Sequence, residues 1–108
     1  MEEPAASGVN NYRFTPQAAE DLFEIWRYVA GDNEEAASRV EKAILDACSF
    51  LANAPLSGRI RRELTSRPLR FWPVRQFPNY IVVYDPVTKP LQIIRLLHGK
   101  RDLPQVMR

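Results

Sequence analysis

Three apolar stretches crowd the second half of the chain: Leu69-Arg70-Phe71-Trp72-Pro73-Val74-Arg75, Asn79-Tyr80-Ile81-Val82-Val83-Tyr84 and Leu91-Gln92-Ile93-Ile94-Arg95-Leu96-Leu97. The first alternates and reads as a strand. Pro73 has no N–H for a ladder bond, so this strand lies at an edge or carries a bulge. The second is apolar throughout, which predicts a central strand buried on both faces. Pro78-Asn79 is the expected turn before it, and Asp85 to Pro90 the hairpin loop after it. Three consecutive strands with short connections pair antiparallel.

The first half must supply what covers that sheet. Asn11 to Thr15 alternates, with Tyr12 and Phe14 on one face, and predicts a short strand. Thr15-Pro16 is a helix start: Thr caps, and proline suits the first helical position, where an N–H would go unpaired. Glu20 and Asp21 follow, near the positive end of the helix dipole. Ala18, Leu22, Ile25, Trp26 and Val29 make one apolar stripe, so a helix runs from Pro16 to Ala30 and stops at Gly31. Asp32 is the expected cap of the next helix, with Glu35 as its capping-box partner. Ala36, Ala37, Val40, Ala43, Ile44, Ala47, Cys48 and Leu51 then form an apolar face to about Asn53. The segment Arg59 to Arg67 reads as a basic connector. Asp102 is expected to cap a final helical turn ending near Met107. The order is β-α-α-β-β-β: an α+β fold with a helical hairpin packed on a mainly antiparallel sheet.

Size and composition agree with one such layer pair. The chain has 108 residues, 45% hydrophobic and 26% charged, enough for one core. Residues 1–10 read as a flexible leader and 11–108 as a single domain. No apolar run approaches the roughly 20 residues of a membrane helix. The acidic start, Met-Glu-Glu-Pro, is unlike a signal peptide, so the expected location is cytoplasmic. One cysteine, Cys48, and one histidine, His98, exclude a disulfide framework and an all-Cys/His zinc site. No Gly-rich phosphate loop or paired-carboxylate cluster is visible, so neither cofactor nor metal is expected.

The net charge of +2 conceals a division. Residues 1–54 carry four basic and ten acidic side chains, a net of −6; residues 55–108 carry eleven basic and three acidic, a net of +8. Nine of those eleven are arginine, the side chain suited to bidentate contact with phosphate or carboxylate. Arg95 is the most informative. Alternation puts it on one face with Ile93 and Leu97, where a guanidinium is costly unless paired. It is either a buried ion pair, with Asp85, Asp102 or Glu63, or part of a concave basic face with Arg75, Arg70 and Lys100. His98 has a reference pKa near 6.5, which suits acid–base work, though a lone histidine is commonly structural. Trp72, Phe71, Tyr80 and Tyr84 interleave with Arg70 and Arg75; such aromatics either pack or stack single-stranded bases. Cys48, on the apolar helix face, reads as an inert core thiol.

Four segments resemble the ParE/RelE family of type II toxin–antitoxin toxins. They are Tyr12-Arg13-Phe14-Thr15-Pro16 leading to Ala19-Glu20-Asp21-Leu22, with Ile25-Trp26 and Tyr28; Leu51 to Pro55 with Gly58-Arg59; Leu69 to Val74 through Asn79 to Tyr84; and Ile93 to Leu103. Their order and spacing carry the resemblance across residues 11–103. The family fold, a helical hairpin on a mainly antiparallel sheet, is the one read above.

The resemblance implies one of two activities. ParE-like members poison DNA gyrase, and RelE-like members are ribosome-dependent endoribonucleases. The ending Leu97-His98-Gly99-Lys100-Arg101-Asp102-Leu103 is similar to the ParE branch. The C-terminal tyrosine and the lysine pair of RelE-like enzymes have no equivalent, since no Tyr follows Tyr84 and every basic residue from Arg59 to Arg75 is arginine. The implied function is therefore gyrase inhibition by protein–protein binding, more a binding activity than an enzyme. Target contacts are expected from Arg70, Arg75, Arg95, His98, Lys100 and Arg101. The alternative, a metal-independent mRNA nuclease acting on the ribosome, would use Arg75, Arg95, His98, Lys100 and Arg101. A third reading is a non-toxic binding partner. In every case the implied partner is a cognate antitoxin from a neighbouring gene, in a hetero-oligomer that meets operator DNA only through the antitoxin. An acidic, amphipathic antitoxin segment is expected to meet Trp26, Trp72, Arg59, Arg61 and Arg62.

Overall fold

The computed structural model describes residues 11–106, so the expected leader and the helix end at Met107 lie outside the described residues. The elements are β1 (Tyr12–Phe14), α1 (Pro16–Ala30), α2 (Glu34–Asn53), β2 (Arg59–Ile60), β3 (Arg70–Val74), β4 (Phe77–Asp85), β5 (Leu91–His98) and α3 (Gly99–Val106). The sheet order is β1-β5-β4-β3-β2, with β1 parallel to β5 and every other pair antiparallel. The fold is α+β, with a helical hairpin on one face of a mostly antiparallel sheet.

Thr15 joins the two layers. Its hydroxyl accepts the Ala18 N–H at 3.1 Å, capping α1, and donates to the Ile94 carbonyl at 2.9 Å. Its own N–H donates to the Ile93 carbonyl at 3.0 Å. The start of α1 thus continues, along β5, the pairing that β1 begins. The second cap differs from expectation. Asn33, extended and with its side chain accepting the Ala36 N–H at 3.0 Å, caps α2. Asp32 still donates its N–H to Val29 in the exit turn of α1, and Glu35 falls one position short of a capping box.

The helical hairpin buries Ala18, Ile25, Val40, Ala43, Ile44, Ala47, Cys48 and Leu51 against Val74, Val82, Tyr84, Leu91, Ile93 and Leu96. The alanine-rich face of α2 lets backbone approach sheet closely. On the other face Leu69, Phe71, Ile81, Val83 and Leu97 form a smaller cluster with Leu64 and Ile94. β4 is therefore buried on both sides from Ile81 to Tyr84, as a central strand should be.

Two irregularities change the reading of the strands. Val74 faces Phe77 across a two-residue turn at Arg75-Gln76, while Pro73 faces Ile81. Pro78 and Asn79 are thus extra residues within the strand, not the turn. Pro78 has no N–H, and a bulge tolerates that. Pro73 lies past the reach of β2, which pairs only with Arg70 and Phe71, so it combines the edge and bulge readings. On β5, Tyr84 faces Ile93 but Val83 faces Arg95. Ile94 is the additional residue. It reverses the alternation, so Arg95 shares a face with Leu97 and not with Ile93.

The expected connector after Gly58 begins as β2, too short to show any alternation. Helix α3 already begins at Gly99, so Asp102 does not cap it as expected but lies inside it, accepting the His98 N–H at 2.8 Å. The loop between α2 and β2 is fixed by Tyr84, the largest fully buried side chain. Its hydroxyl donates to the Pro55 carbonyl at 2.6 Å and accepts the Gly58 N–H at 2.8 Å. A Cβ on Gly58 would stand 2.6 Å from that oxygen.

Candidate functional site: the end of strands β4 and β5

Arg95 is paired, and its partner is none of the three expected. Asp21 of α1 accepts Arg95 Nε at 2.7 Å and Nη2 at 3.0 Å. One of its oxygens also accepts the Leu96 N–H at 3.0 Å. β1 pairs with β5 only as far as Ile93, so Leu96 presents an edge N–H that a carboxylate can take. The side chains are 22% and 11% exposed. The hydrogen bonds it donates to Asp21 hold the Arg95 pKa above its ordinary value against the opposing effect of burial. Asp21 reads as a dipole residue in the sequence because nothing local links positions 21 and 95. Arg95 is thus a brace between α1 and β5.

Beyond that brace, four elements converge. Tyr80 of β4 faces His98 of β5, and their rings meet edge to face at 5.5 Å. His98 Nδ1 is buried with no hydrogen-bond partner among the described residues. Arg101 of α3 donates Nε to Asp102 at 3.2 Å. Its guanidinium carbon lies 5.9 Å from the centre of the Tyr28 ring of α1. Burial pushes the Tyr80 phenol above its ordinary range, and the Arg101 charge works against that shift. Lys100 is exposed beside Arg101. This end of the sheet therefore holds a cationic rim backed by aromatic rings. The sequence marks Tyr80 only as one of four aromatics that pack or stack, and Tyr28 only within the family resemblance; it assigns neither to this site. Tyr80 joins His98 only through cross-strand register, and Tyr28 arrives by helix packing.

The other candidates lie elsewhere. Arg75 sits in the β3–β4 turn, its guanidinium carbon 5.7 Å from the Trp72 ring centre. Trp72 packs on Phe50 at 5.2 Å. A groove of about 280 Å³ runs past them, lined by Ala43, Asp46, Ala47 and Gln76. Trp26 lines a second groove with Ala19, Leu22, Phe23, Ser38 and Glu41. Arg59 and Arg62 are exposed on or just after β2, and Arg61 pairs with Glu63 at 2.6 Å. That contact holds the Glu63 carboxyl below its usual range. Arg70 donates to the Gly58 and Leu56 carbonyls at 2.8 and 3.3 Å and so helps to hold the loop. The concave basic face expected from Arg95, Arg75, Arg70 and Lys100 does not form. Arg95 is locked to α1, Arg75 lies in a turn, and Arg70 binds backbone.

Cys48 is fully buried and its thiol is pushed up to about 12 by desolvation. Among the described residues no group of three His, Cys, Asp or Glu is placed to hold a metal ion. Among them, too, no helix is long and apolar enough to cross a membrane.

The structure is thus a small α+β scaffold with a cationic rim at one end and grooves at Trp72 and Trp26 along its helices. The family described as ParE toxin of type II toxin–antitoxin systems, parDE, matches residues 12–103, and the chain belongs to it. The toxin candidate Y4kP of Sinorhizobium fredii is 34% identical over 95 residues, covering 88% of this chain and 94% of its own. A solved chain of the chromosomal ParDE system from P. aeruginosa superposes with a TM-score of 0.66 at 21% identity, covering 85% of this chain and 98% of that one. This likeness concerns the fold. The protein is a ParE-type toxin of a type II toxin–antitoxin system, and an antitoxin is its implied partner.

Proposed function

We propose that this toxin acts in the cytoplasm by binding DNA gyrase through the rim at the end of β5, and that a cognate antitoxin neutralises it. The observation that carries this reading is the division of labour among the cations. Arg95 is consumed in holding α1 to β5, while Lys100 and Arg101 remain exposed on α3. The antitoxin supplies an acidic, amphipathic segment. Its apolar side chains fill the grooves at Trp26 and Trp72, and its carboxylates meet Arg59, Arg61 and Arg62. The complex meets operator DNA through the antitoxin. Purified toxin added to gyrase should abolish supercoiling and accumulate cleaved DNA complexes. Undisturbed supercoiling at high toxin would overturn the reading.

One observation favours a second reading, ribosome-dependent mRNA cleavage. Tyr80 supplies a phenol beside His98, which the chain after Tyr84 lacks. In that reaction the RNA 2′-hydroxyl attacks the adjacent phosphate and expels the 5′-oxygen, leaving a 2′,3′-cyclic phosphate, with Arg101 and Lys100 offsetting charge and His98 moving the proton from the attacking hydroxyl to the leaving oxygen. Macromolecular synthesis after induction separates the two. Early loss of DNA synthesis supports gyrase; early loss of protein synthesis with cut mRNA supports cleavage.

A further inference from the structure

We propose that Tyr28 and Arg101 form a two-residue clamp that recognises a carboxylate on the target protein, with the fixed pair Tyr80 and His98 close by. The inference rests on the reading of the rim as the target-binding surface and adds residues that reading does not contain.

Tyr28 is 74% exposed on the outer side of α1. A ring in that position buries little, so core packing gives no reason for an aromatic there. Its contact is with Arg101, whose guanidinium carbon stands 5.9 Å from the ring centre, within the range of a cation–π interaction. Arg101 spends only Nε on Asp102. Its two terminal amino groups have no hydrogen-bond partner among the described residues. The guanidinium is thus held from behind by a carboxylate and from one side by a ring, with the fork that binds carboxylate or phosphate bidentately left open. Tyr80 lies near enough to feel the Arg101 charge, and it is fixed to His98 across β4 and β5. An arginine held this way loses little side-chain entropy on binding, and tyrosine and arginine are both enriched where interfaces concentrate their energy.

The surroundings favour a protein carboxylate over a nucleic-acid backbone. Glu24 lies one helical turn before Tyr28 on the same face, exposed and paired with Arg27 at 2.8 Å. Glu20 is exposed a further turn back. A run of phosphates following this face would meet those charges, whereas a single carboxylate placed at Arg101 would not.

The test compares full-length Tyr28→Ser, Tyr28→Phe, Arg101→Lys and, as a control in the β4–β5 loop, Val87→Ser. Growth arrest on induction and inhibition of purified gyrase are read in parallel, with thermal melting of each purified chain. Tyr28→Ser and Arg101→Lys should melt with the wild type yet weaken arrest at least about 30-fold in the inducing dose, the loss typical of a removed hot spot. Tyr28→Phe, which keeps the ring, and Val87→Ser should arrest growth normally. Wild-type arrest by Tyr28→Ser overturns the clamp. Loss in the two variants while the wild type leaves gyrase untouched upholds the clamp and overturns gyrase as the target. Loss accompanied by wild-type cleavage of mRNA in a translation extract, abolished in the same variants, makes the rim a nucleic-acid site and overturns the protein carboxylate. A wild-type chain that arrests nothing overturns both readings.

Discussion

Asp21 of α1 holds Arg95 of β5 by two hydrogen bonds, at 2.7 and 3.0 Å, and takes the Leu96 N–H at 3.0 Å with an oxygen it already uses. One carboxylate thereby pairs a half-buried cation and closes the open edge of a strand. Removing the charge alone should be costly, because the guanidinium remains where water reaches it poorly. Asp21→Asn keeps an oxygen for Leu96 and removes the ion pair. We expect a loss of about 2–3 kcal/mol, and roughly 4–8 °C in Tm for each kcal/mol in a domain of this size. Asp21→Asn with Arg95→Met should recover most of that loss, because no unpaired charge is left. Urea titration of the four chains measures the coupling; simple additivity would show that the pair does not act as a unit.

The hydroxyl of Tyr84 and the backbone at Gly58 make a second coupled pair. Tyr84→Phe leaves the Gly58 N–H and the Pro55 carbonyl without their partner, at a cost of about 1–3 kcal/mol. Gly58→Ala should cost more, since its Cβ would stand 2.6 Å from the Tyr84 oxygen and 3.1 Å from the Phe71 carbonyl. The double variant should be less destabilised than the sum, because the hydroxyl no longer opposes the methyl. The rescue stays partial, because a ring carbon at 2.9 Å and the Phe71 carbonyl remain. Denaturant midpoints test this order, and a fully rescued double variant would contradict it.

These two pairs mark the boundary of what the sequence discloses. The stripes of α1 and α2, the Thr15-Pro16 start and the three apolar strands follow from local periodicity, and they suffice for the fold. The bulge at Ile94 does not, since the doublets Ile93-Ile94 and Leu96-Leu97 fit a strand apolar on both faces as well as they fit a shift of register. That single residue moves Arg95 to the opposite face from Ile93. Pro78-Asn79 resembles a turn because its chemistry is that of one, yet the chain reverses three residues earlier, at Arg75-Gln76. The site suffers more than the fold. Asp21 with Arg95, Tyr80 with His98 and Tyr28 with Arg101 each join distant positions. Two of these pairs need helix packing and one needs strand register. His98, Lys100 and Arg101 are legible because they cluster at a strand end; their aromatic supports are not.

Cys48 predicts an alkaline weakness. Its thiol is pushed from an ordinary 9.0 to about 12 by burial. Unfolded chains lose this proton above the ordinary value, and folded chains keep it. Between those limits the unfolded state binds fewer protons, so stability falls as pH rises. One unit above the ordinary value the loss is about 1.4 kcal/mol from this group. Cys48→Ala removes that contribution while opening a small cavity. Its melting temperature should start lower at pH 7 and fall less steeply above pH 9 than that of the wild type. Parallel slopes would show that other groups, such as the buried tyrosines, carry the whole alkaline effect.

The arginines after Gly58 supply the last expectation. Arg59 and Arg62 are exposed and are absent from the ion pairs and side-chain hydrogen bonds of the described residues, whereas Arg61 is tied to Glu63. Neither guanidinium is tied down among the described residues, so reversing the two charges should leave the fold intact. If antitoxin carboxylates meet this edge, Arg59→Glu with Arg62→Glu turns attraction into repulsion. Rim charges act mainly through association rate and salt dependence. The double reversal should therefore slow association with the neighbour-encoded antitoxin by about tenfold or more at low salt, and the deficit should shrink as salt screens the charges. Trp72→Ala should act on the other constant. Its ring packs on Phe50 at 5.2 Å and walls the groove beside α2, so its loss should speed dissociation with little effect of salt. Surface plasmon resonance at two ionic strengths separates the two. An unchanged association rate in the charge reversal would remove Arg59 and Arg62 from the antitoxin interface, and an unchanged dissociation rate in Trp72→Ala would remove the groove.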